Sequence, residues 1–418
     1  MSDNFTGFTE KQVDVIRALK RNELKKINIL EGSVSSGKTY ISLVLWAFWV
    51  STMPRGNNYI MLGRTLETLN RNCLILLEEL IGVKNFTFSI GKKEARLFGR
   101  RVFLEGANDA RSEGKIRGMT LQGAYCDEIT ILPKDFFEML ITRLRVEGAL
   151  LIGTTNPDSP SHWLMKDYLA PDANGRVDTL SWNFTIDDNT KLPSGYVEHM
   201  KRGFSGVFYE RFILGRWVIA EGLIYGGFKQ SQIVANPPKI LNYSAGIDYG
   251  QSNATVFLLV GEGADGRLYI LSEYYHSGRA SQASKSPLTY AKDFISWIKS
   301  YFETRGLALS LGGIYYDPSA LGFRTQLAEL GVKNLRAANN EVLRGIQLVS
   351  AMFEGDLIRV CASCKNTIDE LRGYAWDSKA AARGEDKPVK ENDHAMDALR
   401  YAVMGNQTYW KNRLGAVK

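Results

Sequence analysis

Little in this 418-residue chain points to an oxidising compartment or to a membrane. It has four cysteines, Cys73, Cys126, Cys361 and Cys364, which do not suggest a disulfide framework. Cys361 and Cys364 have C-x-x-C spacing, but a structural zinc takes four ligands and no second pair exists. They read as ordinary thiols. No apolar run reaches the roughly 18 residues of a membrane span; the longest, residues 41–50, reads as a buried helix. The opening MSDNFTGFTEKQ lacks a basic stretch followed by an apolar core, so no secretory signal is expected and a cytosolic location is the default. No internal repeat is visible.

What remains is the composition of a soluble globular protein, 44% apolar and 23% charged. The length suggests two domains at about 100–200 residues each. A net charge of +7 favours a polyanionic partner, although many basic enzymes bind no nucleic acid.

Apolar strand patterns at 27–30, 59–62 and 149–152 alternate with helical ones, which argues for a parallel, doubly wound α/β sheet. Residues 86–90 and 101–104 read as antiparallel additions, and a helix is expected after the strand at 59–62, through Leu80. The texture changes at residues 222–239, where Gly-Gly and Pro-Pro interrupt any periodicity; this is expected to be a linker or hinge between domains at 1–221 and 240–418. Beyond it, strands at 245–247, 255–260 and 268–272 follow one another through tight turns as a meander. A helix from Leu288, a strand at 314–316 and a helix from Asp393 complete a second α/β unit. Residues 277–287 read as a mobile loop.

The strongest motif is GSVSSGKT, Gly32 to Thr39, a full G-x-x-x-x-G-K-[ST] pattern between a strand and an apolar helix. Glycines let backbone N–H groups converge on phosphate oxygens, and the helix N-terminus adds partial positive charge. Gly32, Ser33, Ser35, Ser36 and Gly37 would line this cradle, Lys38 would reach the β- and γ-phosphates of ATP, and Thr39 would hold Mg²⁺. Asp127 and Glu128, after a strand weakened by Gln122 and Gly123, supply the carboxylates such a loop needs: Asp127 for Mg²⁺, Glu128 to activate water. Thr154, Thr155 and Asn156 end the next strand, where polar groups could sense the γ-phosphate and couple hydrolysis to motion; an ordinary strand-end turn explains them nearly as well. Gln12 could meet the adenine edge, although a helix N-cap at Thr9 explains part of that pattern.

A second constellation follows the linker. Asp248 in AGIDYG and Asp317 in YYDPS each end a strand, and His394 and Asp397 lie three apart on one helix face. Carboxylates from two strand ends and a helix could converge on one or two divalent cations, a known solution for phosphodiester hydrolysis. Such ligands suit Mg²⁺ or Mn²⁺, and an imidazole leans towards Mn²⁺. An aspartate after a strand is commonly a turn residue, and Asp397 could pair with Arg400 or Tyr401 on its own helix. Glu273 is a further possible ligand. Basic residues in flexible segments suit sequence-independent phosphate contacts: Lys285, Lys379, Arg383, Lys387 and Lys390 are the DNA-binding candidates.

GSVSSGKT, IRG followed by CDE, GTTNP, GRWVIAEGLIYGGF, GIDYG, YYDPS and DHAMDALRY occur in this order over nearly the whole chain. The combination resembles the large subunit of tailed-phage terminases, in the prophage-type subgroup with a His-x-x-Asp nuclease motif. The resemblance implies an N-terminal P-loop ATPase of the ASCE type followed by an RNase H-like metal nuclease. It implies ATP with Mg²⁺ and two divalent cations as cofactors. It further implies cutting of concatemeric viral DNA, and pumping of double-stranded DNA into a procapsid in the host cytoplasm. The implied partners are a small terminase subunit and the portal protein, on a ring of typically five copies. Arg117, before Gly118 and the Asp-Glu pair, matches the position of an arginine that reaches a neighbour's ATP. The phosphate loop carries no arginine where many relatives have one, which leaves Arg64 and Arg143 as fallbacks for sensing phosphate. Two other readings remain: a helicase-like translocase with an inactive RNase H-like domain, and a non-catalytic module whose ATP only orders an assembly.

Overall fold

The apolar runs of the first half become strands buried on both faces, and their side chains sort by alternation. Leu30, Tyr59, Met61, Leu150 and Ile152 enter one core cluster, whereas Ile27, Ile29, Ile60, Leu62 and Leu151 enter the cluster on the opposite face. The computed structural model describes residues 7–108, 110–170, 178–250, 254–277 and 285–416. It divides into two compact units. One contains Met1–Val197, Tyr209–Ile219 and Ala382–Glu385; the other contains Glu198–Phe208, Ala220–Ala381 and Asp386–Lys418.

The sheet of the first unit comprises β1 (Ile27–Gly32), β2 (Asn58–Gly63), β3 (Phe86–Ser89), β4 (Glu94–Leu97), β5 (Arg100–Gly106), β6 (Leu121–Cys126), β7 (Leu150–Thr155) and β8 (Thr179–Phe184), in the order β3-β4-β5-β2-β6-β7-β1-β8. Along that order the pairings from β5 to β8 are parallel; β3–β4 and β4–β5 are antiparallel. The expected antiparallel additions are therefore corrected in part. β5 is antiparallel to β4 but parallel to β2, and it brings the parallel sheet to an antiparallel edge. The helix Lys38–Thr52 is enclosed, with Ile41, Leu45, Trp46, Trp49 and Val50 all buried. The two tryptophans explain the unusual composition of β6: a Cβ at Gly123 would run into Trp49 and Trp46. Gln122 is buried but satisfied, accepting from Asn57 Nδ2 at 2.7 Å and donating to the Glu147 carbonyl at 3.1 Å.

The single helix expected after β2 is interrupted. Leu66–Leu69 and Ile75–Ile81 flank a π-helical turn, Asn70–Leu74, a feature that often accompanies functional sites.

The sheet of the second unit contains β9 (Ile233–Val234), β10 (Ile240–Asp248), β11 (Ala254–Gly263), β12 (Leu268–Ser277), β13 (Gly313–Tyr316), β14 (Leu335–Ala337) and β15 (Ile358–Cys361), ordered β14-β13-β10-β11-β12-β15-β9. β10, β11 and β12 form the antiparallel meander, and the outer strands add in parallel. Residues 222–239 group with this unit, and β9 within them extends the sheet edge along β15. Of the loop expected at 277–287, residues 278–284 lie outside the described residues. Its end is a helix start instead: Ser286 caps Pro287–Glu303 by accepting from Thr289 N, and Pro287 takes the first helical position.

Candidate active sites

β1 leads into the phosphate loop through Gly32, whose φ of 131° and contact with the Phe184 backbone leave no room for a Cβ. The loop is anchored by Ser33 N donating to the Phe184 carbonyl at 2.7 Å and by Val34 N donating to the Phe212 carbonyl at 2.9 Å. Ser36 Oγ closes it internally on the Ser33 carbonyl at 2.9 Å. Ser35 Oγ meets Tyr196 OH at 2.8 Å, and Asn189 Nδ2 donates to the Ser35 carbonyl at 2.9 Å. Gly37, left-handed at φ 83°, hands the chain to the helix in whose first turn Lys38 and Thr39 stand. Gln12 does reach this loop, its Nε2 lying 3.5 Å from the Gly37 carbonyl. Its Oε1, however, accepts Thr9 N in a capping box.

The three sequence motifs of this unit meet through hydrogen bonds. Lys38 Nζ donates to the Ser33 carbonyl at 2.8 Å and to Asn156 Oδ1 at 2.7 Å. Thr154 Oγ1 donates to Asp127 Oδ1 at 3.0 Å and accepts Glu128 N at 3.2 Å. Thr155 Oγ1 accepts Thr130 N at 3.1 Å. Residues 154–156 thus link the lysine to both acidic residues, which an ordinary strand-end turn does not require. Burial lowers the Lys38 ammonium to about 8, against the pull of Glu128 and Asp127. Burial and then the Asp127 charge push the Glu128 carboxyl up, opposed by Lys38, Arg71 and Arg64. A carboxyl moved towards neutrality suits a general base. Glu128 also holds a left-handed backbone, φ 53°, unusual for its type.

Asn72 is an addition to the expected set. It donates to Asp127 Oδ2 at 3.1 Å from within the π-helical turn that also carries Arg71. Arg117 is exposed and pairs with Glu113 one turn back. Arg143 is half-buried and donates to Thr142 Oγ1.

In the second unit, register does what sequence distance hides. β10 and β13 are parallel with Ile247 opposite Tyr316, so Asp248 and Asp317 follow side by side at neighbouring strand ends. The helix His394–Met404 presses against β10 at Gly246, where any Cβ would strike the Ala398 carbonyl. That close approach brings His394 Nδ1 to 2.9 Å from Asp248 Oδ2. Burial raises the Asp248 carboxyl; the His394 hydrogen bond opposes this, and the Asp397 and Asp317 charges add to it. The Asp248 hydrogen bond in turn raises the His394 imidazole against its burial.

The expected convergence on a cation is only partial. Among the described residues no three His, Cys, Asp or Glu side chains close around a common ion position. Each carboxylate is held by a partner of its own. Asp317 accepts Ser319 N at 2.7 Å and Tyr401 OH at 2.8 Å. Asp397 faces Arg400 Nη2 at 2.5 Å and Lys390 Nζ at 3.4 Å. The donor chemistry, oxygen-rich with one imidazole, nevertheless fits a hard divalent cation. Glu273 is engaged elsewhere: its two oxygens accept the backbone and side-chain donors of Asn366 and Thr367 at 2.7–2.9 Å, capping the helix Lys365–Gly373.

Of the basic candidates, Lys390 is the one beside these carboxylates. Lys379 and Lys387 are exposed on the segment that the Trp376–Pro388 bridge closes. Arg383 is exposed and groups with the first unit. Lys285 is committed to Asp293 at 2.7 Å and Tyr274 OH at 3.0 Å, which ties it down rather than leaving it to a phosphate.

Glu370 stands outside every motif of the sequence, yet it builds this site. Its buried Oε2 accepts Ala395 N at 2.7 Å and Met396 N at 3.3 Å, and Oε1 accepts Tyr275 OH at 2.9 Å. It therefore caps, from another helix, the helix that carries His394 and Asp397. No local pattern announces a cap supplied from 25 residues away.

Known proteins match along both units. The family "Terminase large subunit, T4likevirus-type, N-terminal" matches residues 29–232, and "Terminase RNaseH-like domain" matches residues 318–405. The structure is similar to that of the large terminase from a thermophilic bacteriophage, at 33% identity over 94% of this chain and 98% of that one, with a TM-score of 0.82. The same phage protein in complex with ATP-gamma-S matches at 32% identity over 95% and 99% of the two chains, with a TM-score of 0.79. The terminase large subunit of Escherichia phage T5 is 27% identical over 261 residues, 58% of this chain. The chain spans about half the length of that curated relative, 55%.

Proposed function

The chain belongs to the large terminase family, and on that premise we propose that it hydrolyses ATP to drive double-stranded viral DNA into a procapsid and cuts concatemeric DNA in its second unit. The observation that carries this reading is the hydrogen-bonded set Lys38–Asn156, with Thr154 at Asp127 and Glu128. A γ-phosphate would compete with Asn156 for the Lys38 ammonium. Arrival and loss of that phosphate would then be felt at the end of β7. Glu128 would take a proton from the attacking water, and Asp127, oriented by Thr154 and Asn72, would support Mg²⁺ with Thr39. That the thermophilic phage relative forms a complex with ATP-gamma-S supports ATP as the nucleotide.

In the second unit Asp248, Asp317 and Asp397, with His394, would hold Mg²⁺ or Mn²⁺. Divalent cations there would supply water activation and stabilisation of the leaving oxygen. The protein's own part is orientation: Tyr401 steers Asp317, Arg400 steers Asp397, and Glu370 fixes the helix that carries His394 and Asp397. Lys379, Lys387 and Lys390 would guide the DNA backbone. The partners in this reading are a small terminase subunit, a portal protein and further copies of the chain in a ring, in the host cytoplasm.

The test is Mn²⁺-dependent digestion of supercoiled DNA. Asp248→Asn is expected to lose cleavage while keeping ATP hydrolysis. Wild-type protein that fails to cut DNA under any divalent ion would instead support a translocase with an inactive second unit.

A further inference from the structure

We propose that Lys390 is a tethered cation that occupies Asp397 until DNA draws it away, so that arrival of a DNA phosphate opens the second unit's site to metal; this rests on the nuclease reading above. Lys390 Nζ lies 2.9 Å from Asp393 Oδ2 and 3.4 Å from Asp397 Oδ2. Arg400 Nη2 holds the other oxygen, Oδ1, of Asp397 at 2.5 Å. Both oxygens of this carboxylate therefore face a cation of the protein itself.

The two cations differ in their freedom. The Arg400 side chain is 1% exposed and enclosed beside Gly345, so it serves as a fixed orienting group. The Lys390 side chain is 62% exposed and sits on the short stretch between the Trp376–Pro388 bridge and the start of the helix at His394. Its four-carbon stem can swing the ammonium outward without disturbing the core.

Charge balance points the same way. Asp248, Asp317, Asp393 and Asp397 are met by Arg400, by Lys390 and, when protonated, by His394. A divalent ion added to that set would compete with an ammonium already in place. A phosphodiester oxygen offers Lys390 an alternative partner and leaves Asp397 Oδ2 to the ion. The lysine end of the pair is exposed while Asp397 and Asp393 are largely buried, so the ammonium is the member that can leave, and at 3.4 Å its contact with Asp397 is the looser of its two. This separates Lys390 from a plain phosphate contact, whose loss weakens DNA binding and leaves metal binding alone.

The experiment is calorimetric titration of the full chain with Mn²⁺, without nucleotide, using Asp248→Asn as the blank for ions bound elsewhere. Without DNA, Lys390→Met is expected to bind Mn²⁺ roughly three- to fivefold more tightly than wild type. Lys390→Arg, which keeps the charge, should match wild type. Adding a phosphorothioate duplex should tighten Mn²⁺ binding to wild type and change Lys390→Met little. Equal affinity of wild type and Lys390→Met without DNA overturns the latch and leaves the nuclease reading standing. A wild type indistinguishable from Asp248→Asn, with and without DNA, overturns both.

Discussion

The phosphate loop and the acidic site are built from different materials. The first is made largely of backbone: Gly32 and Gly37 set its shape, and Ser33 N and Val34 N pin it to neighbouring segments. Its motif residues bond to one another directly. The second is made of side chains from β10, β13 and one helix, each tied to a different partner, Asp248 to His394, Asp317 to Tyr401 and Asp397 to Arg400. A backbone cradle takes its shape from its own glycines, and the Phe184 and Phe212 carbonyls only hold it in place. A carboxylate cluster stores repulsion, and here neighbouring donors balance it.

The sharpest way to break this comparison is to remove the side chain proposed to take the proton from the attacking water in the first site. Glu128→Ala should bind ATP normally and lower hydrolysis by roughly 10²–10⁴-fold; continued turnover would remove Glu128 from the mechanism. For the stability of the second unit a large effect is expected from a residue with no functional group. Gly246→Ala drives a Cβ into the Ala398 carbonyl and should destabilise the second unit by about 1–3 kcal/mol. Thermal unfolding should fall and cleavage with it, while ATP hydrolysis persists.

An effect of similar size but opposite sign concerns Glu370, whose carboxyl burial pushes up to about 7, despite hydrogen bonds from Tyr275, Ala395 and Met396. The folded state then holds a proton that the unfolded state releases near 4.5. Stability from this group is full below about pH 4.5 and is lost as the pH rises towards 7. Glu370→Gln keeps an acceptor for Ala395 and should gain on wild type by about 1–3 kcal/mol between pH 5 and pH 7. A stability difference that does not vary with pH would refute this. The smallest effect on stability is expected at Arg117, whose exposed pair with Glu113 contributes at most about 0.5 kcal/mol. Arg117→Ala should leave the unfolding of the isolated chain unchanged, yet in the proposed ring lower ATPase activity by roughly 10³-fold if it acts on a neighbour's nucleotide.

Much of the first site is legible in advance because its determinants are contiguous. GSVSSGKT, Asp127-Glu128 and Thr154–Asn156 each sit at a strand end, and a parallel sheet gathers such ends on one edge. The oddities of that unit are legible only as exceptions. Gly123 looks like a flaw in a strand and proves to be the space for Trp49. The π-helical turn that aims Asn72 at Asp127 leaves no mark in a helical pattern, because one extra residue per turn does not change composition.

The amino-acid sequence by itself determined the phosphate cradle, the alternation of strands with helices and the identity of the acidic residues. These depend on local backbone freedom and on periods of two and 3.6 residues. Only the tertiary structure decided that Asp248 and Asp317 stand at adjacent strand ends, that Gly246 admits the helix bearing His394 and Asp397, and that Glu370 caps it. Strand register and helix approach are set by packing between segments far apart in the chain, and no local pattern encodes them.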